Sequence, residues 1–133
     1  MKTPGYRVKI CIIGCGAIGS RMAQAITKEF RKDCKITGLY DIDFSKAQAL
    51  QRKLKIKSVA STDLEKLIYQ CDVVIEAVNA DNTAKIIRQA LEAQKSVLAM
   101  SVGKILNEPN LFKIARRNKC YILLPSGAIA GVD

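Results

Sequence analysis

The chain has 133 residues, 49% hydrophobic and 26% charged, with 22 basic residues against 12 acidic. That length suits one compact domain that buries about 68–70% of the surface its unfolded form exposes, and the balance excludes collagen-like, coiled-coil and wholly disordered chains. No apolar run approaches the roughly 18 residues of a membrane span. The short polar stretch 1–5 runs straight into a strand-like segment and predicts no signal peptide.

In chain order, two periodicities alternate. A continuous apolar run at 8–13 predicts a first strand, and Ile18, Met22, Ala25 and Ile26 at helical intervals predict the helix behind it. Residues 36–40 read as a second strand, and a weaker third is expected at 58–60. Leu64, Leu67 and Ile68 form a short helical stripe behind Thr62 and Glu65, which have capping-box spacing. A strand at 73–78 is followed by the helical stripe Thr83, Ile86, Ile87, Ala90 and Leu91. After a strand at 97–100, Asn107 ahead of Glu108-Pro109 marks a helix start leading to Leu111, Ile114 and Ala115. A last strand is expected at 121–124. The strand runs are continuous rather than alternating, as they are when both faces of a sheet are covered. Six strands and five helices in strict alternation predict a single α/β domain over 1–133. Its sheet is expected to be doubly wound, parallel and six-stranded, in the order 3-2-1-4-5-6. The segment 125–133 is expected to lead away from that sheet.

The net charge of +10 attracts anions. The basic runs 52–57 and 116–119 fall at the ends of predicted helices, where cations complement the helix dipole. With aromatics at 5% and no tryptophan, no stacking platform accompanies them and no nucleic-acid partner is expected. Five scattered cysteines form no C-x-x-C pair, and no histidine exists to complete a zinc set. Reduced thiols, no metal and a cytoplasmic location are the expectation. Without histidine, any acid–base step needs a perturbed Lys, Asp, Glu or Cys, or a group from elsewhere.

Gly14-Cys15-Gly16-Ala17-Ile18-Gly19 is a G-x-G-x-x-G that follows an apolar strand and opens a helix, the context in which this pattern binds a dinucleotide. Gly14 permits the turn, Gly16 lets a diphosphate approach the backbone, and Gly19 lets the helix pack on the strand. The anion then sits on the free N–H groups at the positive end of the helix. Asp41 ends the second strand, 22 positions after Gly19. There a carboxylate accepts hydrogen bonds from the adenosine ribose and repels a 2′-phosphate, so the reading favours NAD, with NADP the alternative. Ala77, Ser101, Gly127 and Ala128 lie at the tips of the fourth, fifth and sixth predicted strands, near the expected nicotinamide. Cys15, at a helix N-terminus, occupies a setting that lowers a thiol's pKa, although a small residue filling a turn is the simpler account.

The chain resembles the L-aspartate dehydrogenases. The resemblance rests on Ile13-Gly14-Cys15-Gly16-Ala17-Ile18-Gly19, on Val73-Val74-Ile75-Glu76-Ala77 and on Met100-Ser101-Val102-Gly103. The most specific piece is Leu124-Pro125-Ser126-Gly127-Ala128-Ile129-Ala130-Gly131-Val132-Asp133. It covers nearly all of this chain but about the amino-terminal half of a typical member. It implies an NAD(P)-binding Rossmann domain of an oxidoreductase that oxidatively deaminates L-aspartate. Hydride passes to the nicotinamide, and the iminoaspartate formed hydrolyses to oxaloacetate and ammonia or feeds NAD biosynthesis. It also implies that Gly14, Gly16, Ala17, Ile18 and Gly19 hold the pyrophosphate, Asp41 the ribose, and Gly127 and Ala128 the nicotinamide side. The family's active-site histidine and most contacts to the dicarboxylate substrate belong to a carboxyl-terminal domain absent from these residues. The chain alone is therefore expected to bind coenzyme without turning over aspartate, with an exposed apolar surface that makes a homodimer plausible. Two alternatives share the same motifs: a stand-alone nucleotide-sensing module, and another amino-acid or semialdehyde dehydrogenase.

Overall fold

A computed structural model describes residues 5–57, 59–78, 81–125 and 129–130. Five strands run parallel: β1 (Val8–Ile13), β2 (Cys34–Tyr40), β3 (Val73–Glu76), β4 (Ser96–Ala99) and β5 (Ile122–Leu123). They lie in the order β2-β1-β3-β4-β5, and β6 (Ile129–Ala130) adds an antiparallel edge to β5. The helices are α1 (Ala17–Lys28), α2 (Phe44–Leu54), α3 (Leu64–Gln70), α4 (Thr83–Glu92), α5 (Val102–Ile105) and α6 (Pro109–Arg117). This is a Rossmann-like α/β sheet, with the order reversing between β1 and β3.

The continuous apolar strands follow from the two layers they separate. In β1, Cys11 and Ile13 join one core with Leu67, Ile87, Leu91, Leu111 and Ile122, contributed by β5 and by α3, α4 and α6. Ile10 and Ile12 join a second core with Ala23, Ile26, Ala47 and Leu50 from α1 and α2. Successive residues point to opposite faces and both faces are dry, so no polar alternation survives. Ile12 and Ile13 are fully buried, and truncating either to alanine should cost about 2–5 kcal/mol.

Three expectations are corrected. The strand expected at 58–60 is, among the described residues, a single parallel bridge between Leu39 and Ala60. The Gln51 side-chain oxygen takes the N–H groups of both Val59 and Ala60, at 2.8 and 2.7 Å. Two successive donors spent on one side chain leave no regular ladder to extend. The six-stranded parallel sheet is thus five parallel strands, and β6 is not one of those foreseen. The segment after 125, expected to leave the sheet, returns to it: Ile129 pairs with Leu123 and Ala130 with Ile122, covering an edge that would otherwise expose backbone. The helix caps also sit one residue later than the sequence suggested. Asp63, not Thr62, caps α3 by accepting from the Lys66 N–H at 3.1 Å. Glu108, not Asn107, stands at the cap of α6, and Pro109 occupies the first turn, where its missing N–H costs nothing.

Candidate functional site

The turn between β1 and α1 is fastened to the end of β2. The Gly14 N–H donates to the Tyr40 carbonyl at 2.8 Å, and the Cys15 N–H donates to Asp41 Oδ2 at 2.8 Å. The other carboxylate oxygen of Asp41 accepts from the Asp43 N–H at 2.9 Å. From the opposite side, the Ala77 N–H donates to the Ile13 carbonyl at 2.8 Å. The loop is therefore held between the tips of β2 and β3, at the point where the strand order reverses.

The three glycines do three different jobs. Gly14 has φ +103°, and a Cβ there would lie 2.5 Å from the Ala77 carbonyl oxygen. A Cβ on Gly19 would lie 1.8 Å from the Gly14 carbonyl oxygen, so α1 reaches the loop only because that position is bare. Beside Gly16 nothing lies within 4 Å. Its bareness serves no internal contact and leaves the space beside it open. Gly16 also caps α1 without a side-chain acceptor, so the first N–H groups of the helix keep their capacity for an anion.

A crevice of about 630 Å³ opens over this turn. Of the residues singled out in the sequence, Gly14, Gly16, Ala17, Ile18, Asp41 and Ala77 line it. Gly19 lies buried beneath the loop. Ser101 is not in the lining: its hydroxyl lies 2.9 Å from Glu76 Oε2 and 2.7 Å from the Val78 carbonyl. Gly127 and Ala128 lie outside the described residues. Sequence reasoning missed the far wall, Asn82, Lys85, Ile86 and Gln89, and gave Glu76 no role. Glu76 carried a legible signal: it is the one acid in the run 73–78, and an acid inside an apolar strand is seldom buried without partners. A second hollow, about 520 Å³ and lined by Asp63, Lys66, Tyr69 and Gln89 among others, contains no strand tip and no glycine.

Asp41 keeps binding capacity in spite of its two backbone bonds. An ionised carboxylate offers about four acceptor positions, so two remain for hydroxyl donors in the crevice. Ile42 beside it is 88% exposed, and Lys46 also lines the opening. Cys15 is not an activated thiol. Burial, followed by the negative charge of Asp41, pushes it up to about 12, overriding the lowering expected at a helix N-terminus. Cys11 is likewise pushed up, by its hydrogen bond with Cys71 and by burial. Among the described residues no group of three or more Cys, Asp or Glu side chains could hold a metal ion, and no helix is long and apolar enough to cross a membrane.

Comparison with known proteins bears on the same residues. A family model described as the NAD-binding domain of homoserine dehydrogenase matches residues 14–125. An L-aspartate dehydrogenase of Methanosarcina barkeri is 40% identical over 129 residues, which cover 95% of this chain and 47% of that protein. An L-aspartate dehydrogenase of Methanocaldococcus jannaschii is 35% identical over 129 residues, 95% of this chain and 48% of that one. The chain thus spans about half the length of these relatives. Among solved structures, a UDP-N-acetylglucosamine 3-dehydrogenase of Acidithiobacillus ferrooxidans superposes with a TM-score of 0.78 at 16% identity, over 90% of this chain and 37% of that one. At that identity the likeness concerns the fold alone.

Proposed function

The chain belongs to the family of homoserine dehydrogenase NAD-binding domains, and from that premise we propose that residues 1–133 are the coenzyme-binding part of a longer L-aspartate dehydrogenase. One observation carries the binding site: Gly16 faces open space in a crevice closed by Asp41 on one side and Ala77 on the other. A diphosphate laid there meets the free N–H groups of α1, with no Cβ to hold it off. The ribose on the β2 side meets the remaining acceptor positions of Asp41. A 2′-phosphate in the same place meets a negative charge, so NAD is the preferred coenzyme. Gly14, Gly16, Ala17, Ile18 and Gly19 form or shape the diphosphate seat, and Ala77 belongs to the rim on the nicotinamide side, with Ser101 behind it; Gly127 and Ala128 are assigned to that side by the family resemblance alone.

When bound, the coenzyme supplies the hydride acceptor, and the protein's part is to orient it. The substrate assignment is supported by relatives named L-aspartate dehydrogenase that match 95% of this chain. Oxidation at the aspartate Cα gives iminoaspartate, which water converts to oxaloacetate and ammonia. The residues that grip the two substrate carboxylates are assigned to the part of the protein beyond these 133 residues. The described cysteines are free thiols, which supports a reducing, cytoplasmic setting. Calorimetric titration of the chain with NADH and with NADPH tests the binding claim. Saturable binding that favours NADH is expected, and heat-free titrations with an unmoved melting temperature for both coenzymes would overturn it.

A further inference from the structure

We propose that Glu76 is a positioning residue for the half of the coenzyme that lies beyond the diphosphate, a reading that rests on the dinucleotide site above. Glu76 ends β3 with none of its surface exposed. A carboxylate in that position costs several kcal/mol unless it is hydrogen-bonded, and an apolar residue would serve a buried strand as well or better. Its partners show what it does instead. Oε2 accepts from the Val78 N–H and from the Ser101 hydroxyl, both at 2.9 Å. Oε1 accepts from the Ser101 N–H at 3.2 Å. The Glu76 backbone carbonyl takes the Met100 N–H at 2.9 Å. The last of these continues the parallel β3–β4 ladder; the three bonds to the carboxylate add nothing to helix or ladder and clamp together the two chain segments that emerge from β3 and β4.

Those segments border the site in a defined way. The peptide at Ala77 is the surface against which Gly14 lies, close enough that a Cβ would be 2.5 Å from its oxygen. Glu76 therefore sets the wall of the glycine turn through Val78, and the β4 tip through Ser101. In the order β2-β1-β3-β4, Asp41 stands on one side of the reversal and this clamp on the other. A dinucleotide laid across the reversal places its adenosine near Asp41 and its remaining ribose and base over the clamped tips. The Ser101 hydroxyl, with one proton shared between Glu76 Oε2 and the Val78 carbonyl, acts through these two groups and is not part of the crevice lining.

The test compares NADH with ADP, which carries the adenosine and the diphosphate but neither the second ribose nor the nicotinamide. In Glu76→Gln the side chain keeps its shape. Whichever way the amide turns, its NH2 group opposes a backbone N–H, that of Val78 or that of Ser101. Calorimetry on the 133-residue chain should show NADH affinity falling about tenfold or more, while ADP affinity stays within about twofold. Ser101→Ala, which spares both backbone donors, should give a smaller loss of the same kind, and Ser101→Thr should restore it. If Glu76→Gln does not fold, the Ser101 pair decides alone. Equal losses for both ligands, or no loss for either, overturn the positioning role while leaving the dinucleotide site standing. Wild-type protein that binds neither ligand removes the site and this role together.

Discussion

Replacing Gly16 separates what the fold requires from what a ligand requires. Its φ of −80° and ψ of −155° are extended backbone open to any residue, and the space beside it is empty. Gly16→Ala should therefore leave stability unchanged, or raise it by the roughly 0.4–1 kcal/mol gained when a glycine is removed from the unfolded ensemble. For a chain of this length that moves Tm upward by no more than about 4–5 °C. Binding should respond in the opposite sense. The added carbon occupies the approach of the diphosphate to the first N–H groups of α1, and a hydrogen bond to a charged group is worth about 1.5–3 kcal/mol. Losing one such bond weakens NADH binding about 10- to 150-fold, and Gly16→Val should remove it further. Gly19→Ala is the control: its Cβ would lie 1.8 Å from the Gly14 carbonyl, so it should lower Tm sharply before binding can be measured. Scanning fluorimetry and calorimetry on the three variants give both readouts. A Gly16→Val protein that folds and binds NADH as tightly as the parent would refute the placement of the diphosphate.

Asp41→Ala should raise the affinity for NADPH relative to NADH by at least about tenfold, because it removes a negative charge from the side of the crevice assigned to the ribose; paired titrations read the ratio. The same change strips the Cys15 and Asp43 N–H groups of their acceptor, so urea unfolding should show a loss of about 1–3 kcal/mol. Cys15 should resist iodoacetamide at neutral pH, since its thiol sits near 12 against an ordinary 9.0. A folded value above the unfolded one gives stability that is complete below the ordinary thiol range and fades as pH climbs towards 12. The urea midpoint of wild type should therefore fall more steeply than that of Cys15→Ala from about pH 8 to about pH 11, and parallel curves would contradict the burial argument. Asp63→Ala should cost about 1 kcal/mol through loss of the α3 cap, measured by urea unfolding, and an unchanged midpoint would mean the cap carries no weight.

The order of the parallel strands was legible because both faces of this sheet are dry. The strict alternation with five helices was not kept: α3 follows α2, and α6 follows α5, with no strand between them among the described residues. Continuous apolar runs such as 8–13 mark buried parallel strands, and the 3.6-residue stripes of α1 and α4 mark the helices that cover them. What escaped is decided by single side chains acting at a distance. Nothing local in 58–60 says that Gln51 will take two of its N–H groups. Nothing in Thr62-Asp63 says which of two competent caps stands at the helix boundary. A two-residue strand such as β6 carries too few side chains to show a period, and its antiparallel return onto β5 is set by the exposed edge it covers.

The site divides along the same line. The glycine turn is a local motif, so its spacing already gave the close approaches found at Gly14 and Gly19, while the role of Gly16 rests on the proposed ligand. Asp41 was legible as the acid ending a strand, but not as the acceptor that ties Cys15 to Asp43, because that bond spans 26 residues. Ser101 was read as a strand-tip residue near the nicotinamide, while the structure turns its hydroxyl towards Glu76 and the Val78 carbonyl. The difference follows from burial: a carboxylate inside a strand must collect donors from wherever the fold brings them, and the nearest are at the tip of the next strand. The polar groups at the strand tips thus serve two ends. Those beside the open face of Gly16 remain available to a ligand, and those one layer deeper hold the first set in place.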